Sequence, residues 1–401
     1  MAAGGYYGNL TPTQQEALQA LRKEAATQIA ALGFEPEHLK LWSVPVDNLG
    51  AEGDLTKGQT VILLKFLRAR EFKVEDAVKM LVGTLKWRKE FGMTSLPTET
   101  FDPIFTNLGT IHGVDKHNAP ITWNFYTHIS SPEVANNPAH FLRWRIQLHE
   151  KAIALLDFNN PSTTVETITQ VHDYSTTGMS LDRRLKATSK DIINIFQEYY
   201  PEFLEKKFFL GVPVYLEFLF NVFGSLVSKR TSSKFVMVGK RGTRAALLDQ
   251  IPPAQLLPQY GGFTTPSSSG TDIQELDAVT RLDIPARQFR VVTVSVKPGS
   301  TVHYEFTTIA DDINFSYGFR SPTEGDAAAA PVSSENPADG VLGSEERVES
   351  TKGAVKAVKE VFVMKFNNSF SYLTAKEVMY HVYTTTTAGT EETPVATSES
   401  A

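Results

Sequence analysis

Between Val165 and Gly239 the chain changes texture four times, and that order restricts what it can fold into. Thr167–Tyr174 (TITQVHDY) alternates and is rich in β-branched residues, which predicts a strand. Leu181–Tyr200 has apolar residues at helical spacing and stops at Pro201. Lys207–Val212 reads as a second, buried strand, Val214–Val227 as a nearly all-apolar helix, and Phe235–Val238 as a third strand. Strand, helix, strand, helix, strand implies parallel pairing through right-handed crossovers. Alternate residues of a strand share a face, so His172 and Tyr174 point one way and Asp173 the other. Glu202 follows the helix-ending proline, and Lys234 opens the third strand. A few polar groups set among many apolar ones mark a site for a small molecule or a lipid.

Charge and composition remove other classes. The chain has no cysteine, which excludes disulfides, thiolate metal sites and thiol nucleophiles, and fits a reducing compartment. The net charge is −6, and the segment 321–350, with Glu324, Asp326, Glu335, Asp339, Glu345, Glu346 and Glu349 against Arg347, accounts for all of it. No general basic field points to nucleic acid. A local cluster, Lys229, Arg230, Lys234, Lys240, Arg241 and Arg244, contains no acid. The apolar stretch Phe208–Val227 is interrupted by Gly211-Val-Pro213, Glu217 and Asn221, so it predicts a strand and a buried or interfacial helix rather than a membrane span. The first residues lack the basic start and apolar run of a signal peptide. His112 and His117 read as loop residues, and neither a phosphate-binding glycine loop nor a GxSxG elbow is present.

Along the chain, residues 1–12 read as disordered and 13–95 as a helical layer, with helices over Thr13–Leu32, Thr56–Arg70 and Val74–Phe91, the last ended by Gly92. Ile121–Tyr126 is an expected strand and Pro138–Leu156 an expected helix, within an α/β ligand-binding domain over 96–263. Residues 264–271 have linker composition. Beyond them Phe289–Val296, Thr301–Thr308, Ile313–Phe319, Lys359–Phe366 and Glu377–Thr384 alternate, which predicts an antiparallel β-sandwich over 272–385. The acidic insert 320–350 is expected to be a disordered loop and 386–401 a loose tail.

The segments FLRAREFKVEDAVKMLVGTLKWR, YYPE and TSSKFVMV resemble the CRAL-TRIO lipid-transfer family, over roughly residues 55–263, and within it the fungal phosphatidylinositol-transfer branch. QVHDY, LLDF and FQEYYPE resemble a subgroup that binds haem through the tyrosine of its HDY triplet. YEF, DINF and KFNNSFSY between Tyr304 and Tyr372 resemble the GOLD domain that often follows a CRAL-TRIO domain. The resemblance implies a mainly parallel sheet with covering helices, and a non-enzymatic carrier of phosphatidylinositol and haem b. By it, Arg70, Glu202, Thr231 and Lys234 meet the lipid headgroup, Tyr174 is the axial ligand to haem iron, and His172 supports that tyrosine. Arg143 or Arg145 would meet the propionates, with no ground in the sequence for choosing between them. Phe203 departs from the family, which often has arginine after YYPE, and Ile168 and Gln170 stand where choline-lipid binders have hydroxyls. The implied setting is cytoplasmic, peripheral to phosphoinositide-containing membranes of the endoplasmic reticulum or plasma membrane, with a protein partner for the GOLD-like domain. A haem-dependent redox enzyme or a haem sensor is the alternative.

Overall fold

The computed structural model describes residues 4–126, 129, 131–175, 183–212, 232–239, 242–263, 280–309, 311–322, 343–385 and 397–399. The expected apolar helix Val214–Val227, Thr231 and the linker 264–271 lie outside these residues. The chain divides into two compact units, Met1–Lys240 and Arg241–Ala401. The second therefore begins upstream of the linker and of Pro258–Phe263, which was expected to close the first, and takes in α8 (Thr243–Gln250).

The first unit opens with α1 (Pro12–Ala30) behind a capping box. The Thr11 hydroxyl accepts from the Gln14 N–H at 3.3 Å, and the Gln14 side chain accepts from the Thr11 N–H at 3.0 Å. The cap is thus Thr11, two residues before the expected Thr13. The preceding segment is tied down from residue 4 rather than loose. Arg68 donates to the Gly5 carbonyl at 3.0 Å and stacks on the Tyr6 ring at 4.1 Å. A short ribbon, β1 (Lys40–Leu41) with β2 (Val44–Pro45), leads to α2 (Lys57–Ala69) and α3 (Val74–Phe91). Gly92 ends α3 in the left-handed conformation, φ 76°. Leu21, Leu63, Phe66, Leu81 and Leu85 bury the apolar faces of these three helices against one another.

After α4 (Pro103–Thr106) comes a five-stranded sheet in the order β3 (Gly109–Val114), β4 (Pro120–Phe125), β5 (Ile168–Asp173), β6 (Leu204–Leu210), β7 (Phe235–Val238). β3 is antiparallel to β4, and the other pairs are parallel, as the alternation of strands and helices requires. Three helices accompany it: α5 (Pro132–Ala135), α6 (Pro138–Ile153) and α7 (Arg183–Tyr199). Register sets the chemistry of one face. Thr122, Gln170, Lys207 and Phe235 lie side by side across the strands, as do Asn124, His172, Phe209 and Met237. β6 begins three residues before the expected strand, and β3 was not anticipated.

The second unit contains two antiparallel sheets forming a sandwich-like region, in the orders β13-β10-β15-β8 and β12-β11-β14-β9-β16. The strands are β8 (Thr280–Ile284), β9 (Phe289–Ser295), β10 (Thr301–Thr308), β11 (Ile313–Arg320), β12 (Glu346–Val348), β13 (Ser350–Lys356), β14 (Val361–Asn367), β15 (Lys376–Thr385) and β16 (Thr397–Glu399). Phe306, Phe315, Phe362, Phe366 and Tyr380 fill the core between alternating faces. Two expectations are corrected. The acidic insert ends in β12 and leads straight into β13, and within the expected tail Thr397–Glu399 pairs with β9.

Candidate functional site

The polar face of β4, β5 and β6 is the candidate site. His172 is buried, and its Nδ1 lies 2.7 Å from the Tyr126 hydroxyl; its Nε2 lies 3.4 Å from Gln170 Oε1. Tyr126 and Tyr174 follow the ends of adjacent strands and stack with centroids 4.4 Å apart and planes 12° apart. His172 therefore reaches Tyr174 by way of Tyr126 rather than directly, and Tyr126 is a member that sequence reasoning missed. The lever for finding it was pairing between β4 and β5, which no local pattern encodes.

From α6, Arg145 and His149 reach the same region. Arg145 is buried, its guanidinium lies 5.3 Å from the Phe196 ring, and neither terminal nitrogen has a hydrogen-bond partner among the described residues. His149 Nδ1 lies 3.4 Å from Gln170 Nε2, while His149 Nε2 and Asn124 Oδ1 have no hydrogen-bond partner among the described residues. Lys207 Nζ stands 5.4 Å from the Phe209 ring centroid. The space beside Arg145 and Tyr126, walled by Leu108, Phe141 and Trp144, is too tight to admit a water molecule, far short of an ordinary ligand pocket.

Burial governs the electrostatics of this face. It lowers the Lys207 pKa to about 7, with Arg145 adding repulsion, and it is the main cause lowering Arg145. His172 and His149 are held well below the ordinary histidine value, first by burial and then by Lys207 and Arg145, so both are neutral at pH 7. Burial, then the neighbouring Tyr126, raises the Tyr174 phenol well above its usual value, against the pull of Arg145. No carboxylate acts on Arg145 or Lys207 among the described residues. Two nearby acids are engaged elsewhere: Asp115, just after β3, accepts from the Thr169 hydroxyl at 2.7 Å, and Asp173, at the end of β5, accepts from the Ser175 N–H at 2.8 Å.

The remaining predicted residues fall elsewhere. Arg143 is bound to Glu99, with its Nε 2.9 Å from both carboxylate oxygens, and it donates to the Phe91 carbonyl at 2.9 Å. The structure thus brings Arg145, not Arg143, to the tyrosines. Glu202 sits in a left-handed turn, φ 56°, its carboxylate 4.0 Å from Arg68 Nε. Lys234 donates to the Leu204 carbonyl. Beside them Lys65, fully buried, donates to the carbonyls of Glu166 at 2.5 Å and Glu202 at 3.0 Å, and Arg68 meets the Glu166 carboxylate at 2.7 Å. Glu202 and Lys234 both act electrostatically on Lys65, which burial lowers to about 7. Arg70 stands apart from this group; its hydrogen bond among the described residues goes to the Ala69 carbonyl at 3.2 Å.

Comparison with known proteins places this geometry. The model of the CRAL/TRIO domain matches residues 105–262, and that of the CRAL/TRIO N-terminal domain matches 16–83. The chain is 36% identical over 244 residues to the phosphatidylinositol transfer protein SFH5 of Meyerozyma guilliermondii, covering 56% of this chain and 72% of that protein. It belongs to the CRAL/TRIO family. It is also similar to Patellin-3 of Arabidopsis thaliana, 32% identical over 300 residues, covering 73% of this chain but 59% of Patellin-3; the chain thus spans little more than half the length of that relative. The crystal structure of Sfh5 superimposes with a TM-score of 0.51 at 28% identity, over 59% of this chain and 83% of that one. The two matched stretches take in most of the helical layer and the whole five-stranded sheet. No helix among the described residues is long and apolar enough to cross a membrane.

Proposed function

We propose that this CRAL/TRIO protein is a non-enzymatic carrier that takes up phosphatidylinositol and exchanges it between membranes. The observation that carries the reading is the meeting of Glu202 and Lys234 around the backbone of residues 202–204. Glu202 is held at φ 56°, a conformation that costs a non-glycine residue about 1 kcal/mol or more and concentrates at functional positions. An acid there can accept from inositol hydroxyls, and Lys234 can meet the phosphate, with Thr231 and Arg70 as further headgroup residues. The name of the Meyerozyma relative, a phosphatidylinositol transfer protein, supports the same reading. The carrier works peripherally at cytoplasmic faces of phosphoinositide-containing membranes of the endoplasmic reticulum or plasma membrane, and its GOLD-like second unit serves as an adaptor for a protein partner or a membrane. Transfer of labelled phosphatidylinositol between vesicles tests this. Lys234→Ala is expected to slow transfer about tenfold or more while leaving the fold intact; undiminished transfer would reject the headgroup role.

A second cargo, haem b, is favoured by a different observation: the Arg145–Lys207 pair with no acid, next to Tyr126, His172 and Tyr174. The donor set fits. A phenol oxygen suits ferric iron, and two desolvated cations suit propionates. Tyr174 would hold the iron, Tyr126 and His172 would fix the ring that carries it, and Arg145 would take a propionate. Bound haem would supply a redox-active iron. Because burial holds the Tyr174 proton tightly, ionising the phenol falls to the metal rather than to His172. Tyr174→Phe is expected to abolish a Soret band and to spare lipid transfer. Wild-type protein that stays colourless with ample haem would leave the lipid reading standing alone; turnover at an open iron position would favour a redox enzyme.

A further inference from the structure

The second unit carries a loop whose root is fastened and whose tip is bare. Residues 368–375 join β14 to β15, and Asn368 at the root is fully buried. Its Nδ2 donates to the carbonyls of Ile284 at 3.1 Å, Pro285 at 3.2 Å and Thr374 at 3.0 Å. The backbone N–H of Arg287, a residue at φ 64°, reaches the carbonyls of Asn368 at 3.2 Å and Ser371 at 3.1 Å, and the Asn368 N–H donates to Gln288 at 2.8 Å. On this support Tyr372 is 76% exposed and Leu373 95% exposed. A loop so well fastened gains nothing for its own packing from two adjacent apolar side chains in water.

Cations surround the tip. The Arg287 guanidinium lies 4.9 Å from the Tyr372 ring, and that of Arg347 lies 4.2 Å from Phe370. Acids of the surrounding strands already have partners: Asp311 meets Lys376 at 3.1 Å, Asp312 meets Arg347 at 2.5 Å, Glu345 meets Lys365 at 2.9 Å and Glu377 meets Arg281 at 2.5 Å. Arg287 and Arg290 have no carboxylate partner among the described residues. Apolar tip, interfacial aromatic and guanidinium groups without a carboxylate partner among the described residues are what a phospholipid surface takes up: leucine enters the acyl region, tyrosine stays at headgroup level, and arginine meets phosphate.

We infer that the loop Phe370–Thr374 is a membrane-insertion tip, seated in the interfacial layer of a phospholipid bilayer with Arg287 and Arg290 on lipid phosphates. The inference deepens the proposed peripheral association and rests on that reading. The loop at the other end of β14 supplies the comparator: Val358 is 70% exposed there, but it is one small side chain among Lys356, Lys359 and Glu360.

The absence of cysteine makes the test direct. Full-length Leu373→Cys and Val358→Cys proteins, each carrying an environment-sensitive fluorophore, are mixed with phosphatidylcholine vesicles containing some phosphatidylserine. Emission from position 373 should shift to the blue and be quenched by brominated acyl chains, while position 358 stays unchanged. Replacing Tyr372 and Leu373 together by serine should weaken vesicle partitioning at least about tenfold. Vesicle-bound protein whose 373 label remains in water, or whose 358 label is quenched instead, overturns the insertion tip and leaves membrane association intact. Failure to bind the vesicles at all overturns both.

Discussion

Two groups of cations in the first unit, all buried except the half-buried Lys207, use the same residue types to opposite effect. Lys65 and Arg68 on α2 are matched: Glu166 takes Arg68 at 2.7 Å, Glu202 lies at 4.0 Å, and the carbonyls of Glu166 and Glu202 hold the Lys65 ammonium. Arg145 and Lys207, on the polar face of the sheet, meet aromatic rings and each other's field, and no carboxylate among the described residues. A buried charge with its partners contributes to one specific packing, whereas a buried charge without them costs free energy until something brings the opposite charge. The first group therefore belongs to the fold. The second is, on the proposed reading, the part that a cargo completes.

The contrast breaks most sharply at Glu166. Glu166→Gln strands Arg68 without its carboxylate and should cost roughly 3–5 kcal/mol, read as a lowered urea midpoint. Arg145→Met removes a charge that has no partner to strand among the described residues. It should stabilise the cargo-free protein by about 1–3 kcal/mol in the same measurement while weakening the uptake of an anionic cargo. If Arg145→Met destabilises as much as Glu166→Gln, the two groups do not differ in kind.

A pH series sharpens the comparison. The folded pKa of Lys207 is about 7, below the unfolded value of 10.5, so between those values the unfolded chain binds more protons. Stability should then rise with pH from about 7 to 10.5, by at most about 1.4 kcal/mol per unit, and the gain is complete above 10.5, where both states are neutral. Lys65 is lowered to about 7 as well and contributes in the same direction. Lys207→Met should remove one part of the slope and leave the other. The smallest effect is expected at Tyr126→Phe, which takes a hydroxyl from His172 Nδ1 and should cost about 1 kcal/mol. Chemical denaturation at several pH values reads both.

The outline of both units is legible in the chain, because it rests on local pattern. The alternation of TITQVHDY, the capping and glycine signals around the helices and the runs from Phe289 onward mark real strands and helices. His172 and Tyr174 share a face by strand geometry alone. Their real partners, Tyr126, Asn124 and Lys207, arrive through register between β4, β5 and β6, which joins residues some forty positions apart and leaves no local trace. The choice between Arg143 and Arg145 was within reach: Arg145 and His149 are four apart, on the buried side of α6 with Phe141 and Ala152. β13 escaped because it is an edge strand with exposed Lys352 and Lys356 and a central glycine. Gly353 is required there, since a Cβ would lie 2.4 Å from the Tyr304 ring.

Proton uptake on loading tests the anion-accepting role of Arg145 and Lys207 most directly. Cargo-free protein in weakly buffered solution at pH 8 is mixed with ferric haem in one arm and with a short-chain phosphatidylinositol in the other, and the pH change is recorded. An anionic group placed beside Lys207 raises its pKa from about 7, so loading should draw in up to ~0.9 of a proton per protein at that lysine. In the haem arm ionisation of the Tyr174 phenol releases a proton at the same time, so the uptake is read in each arm as the difference between wild type and Lys207→Met. A difference in one arm names the cargo that reaches this face. Binding of both cargoes with no difference between wild type and Lys207→Met in either arm would contradict it.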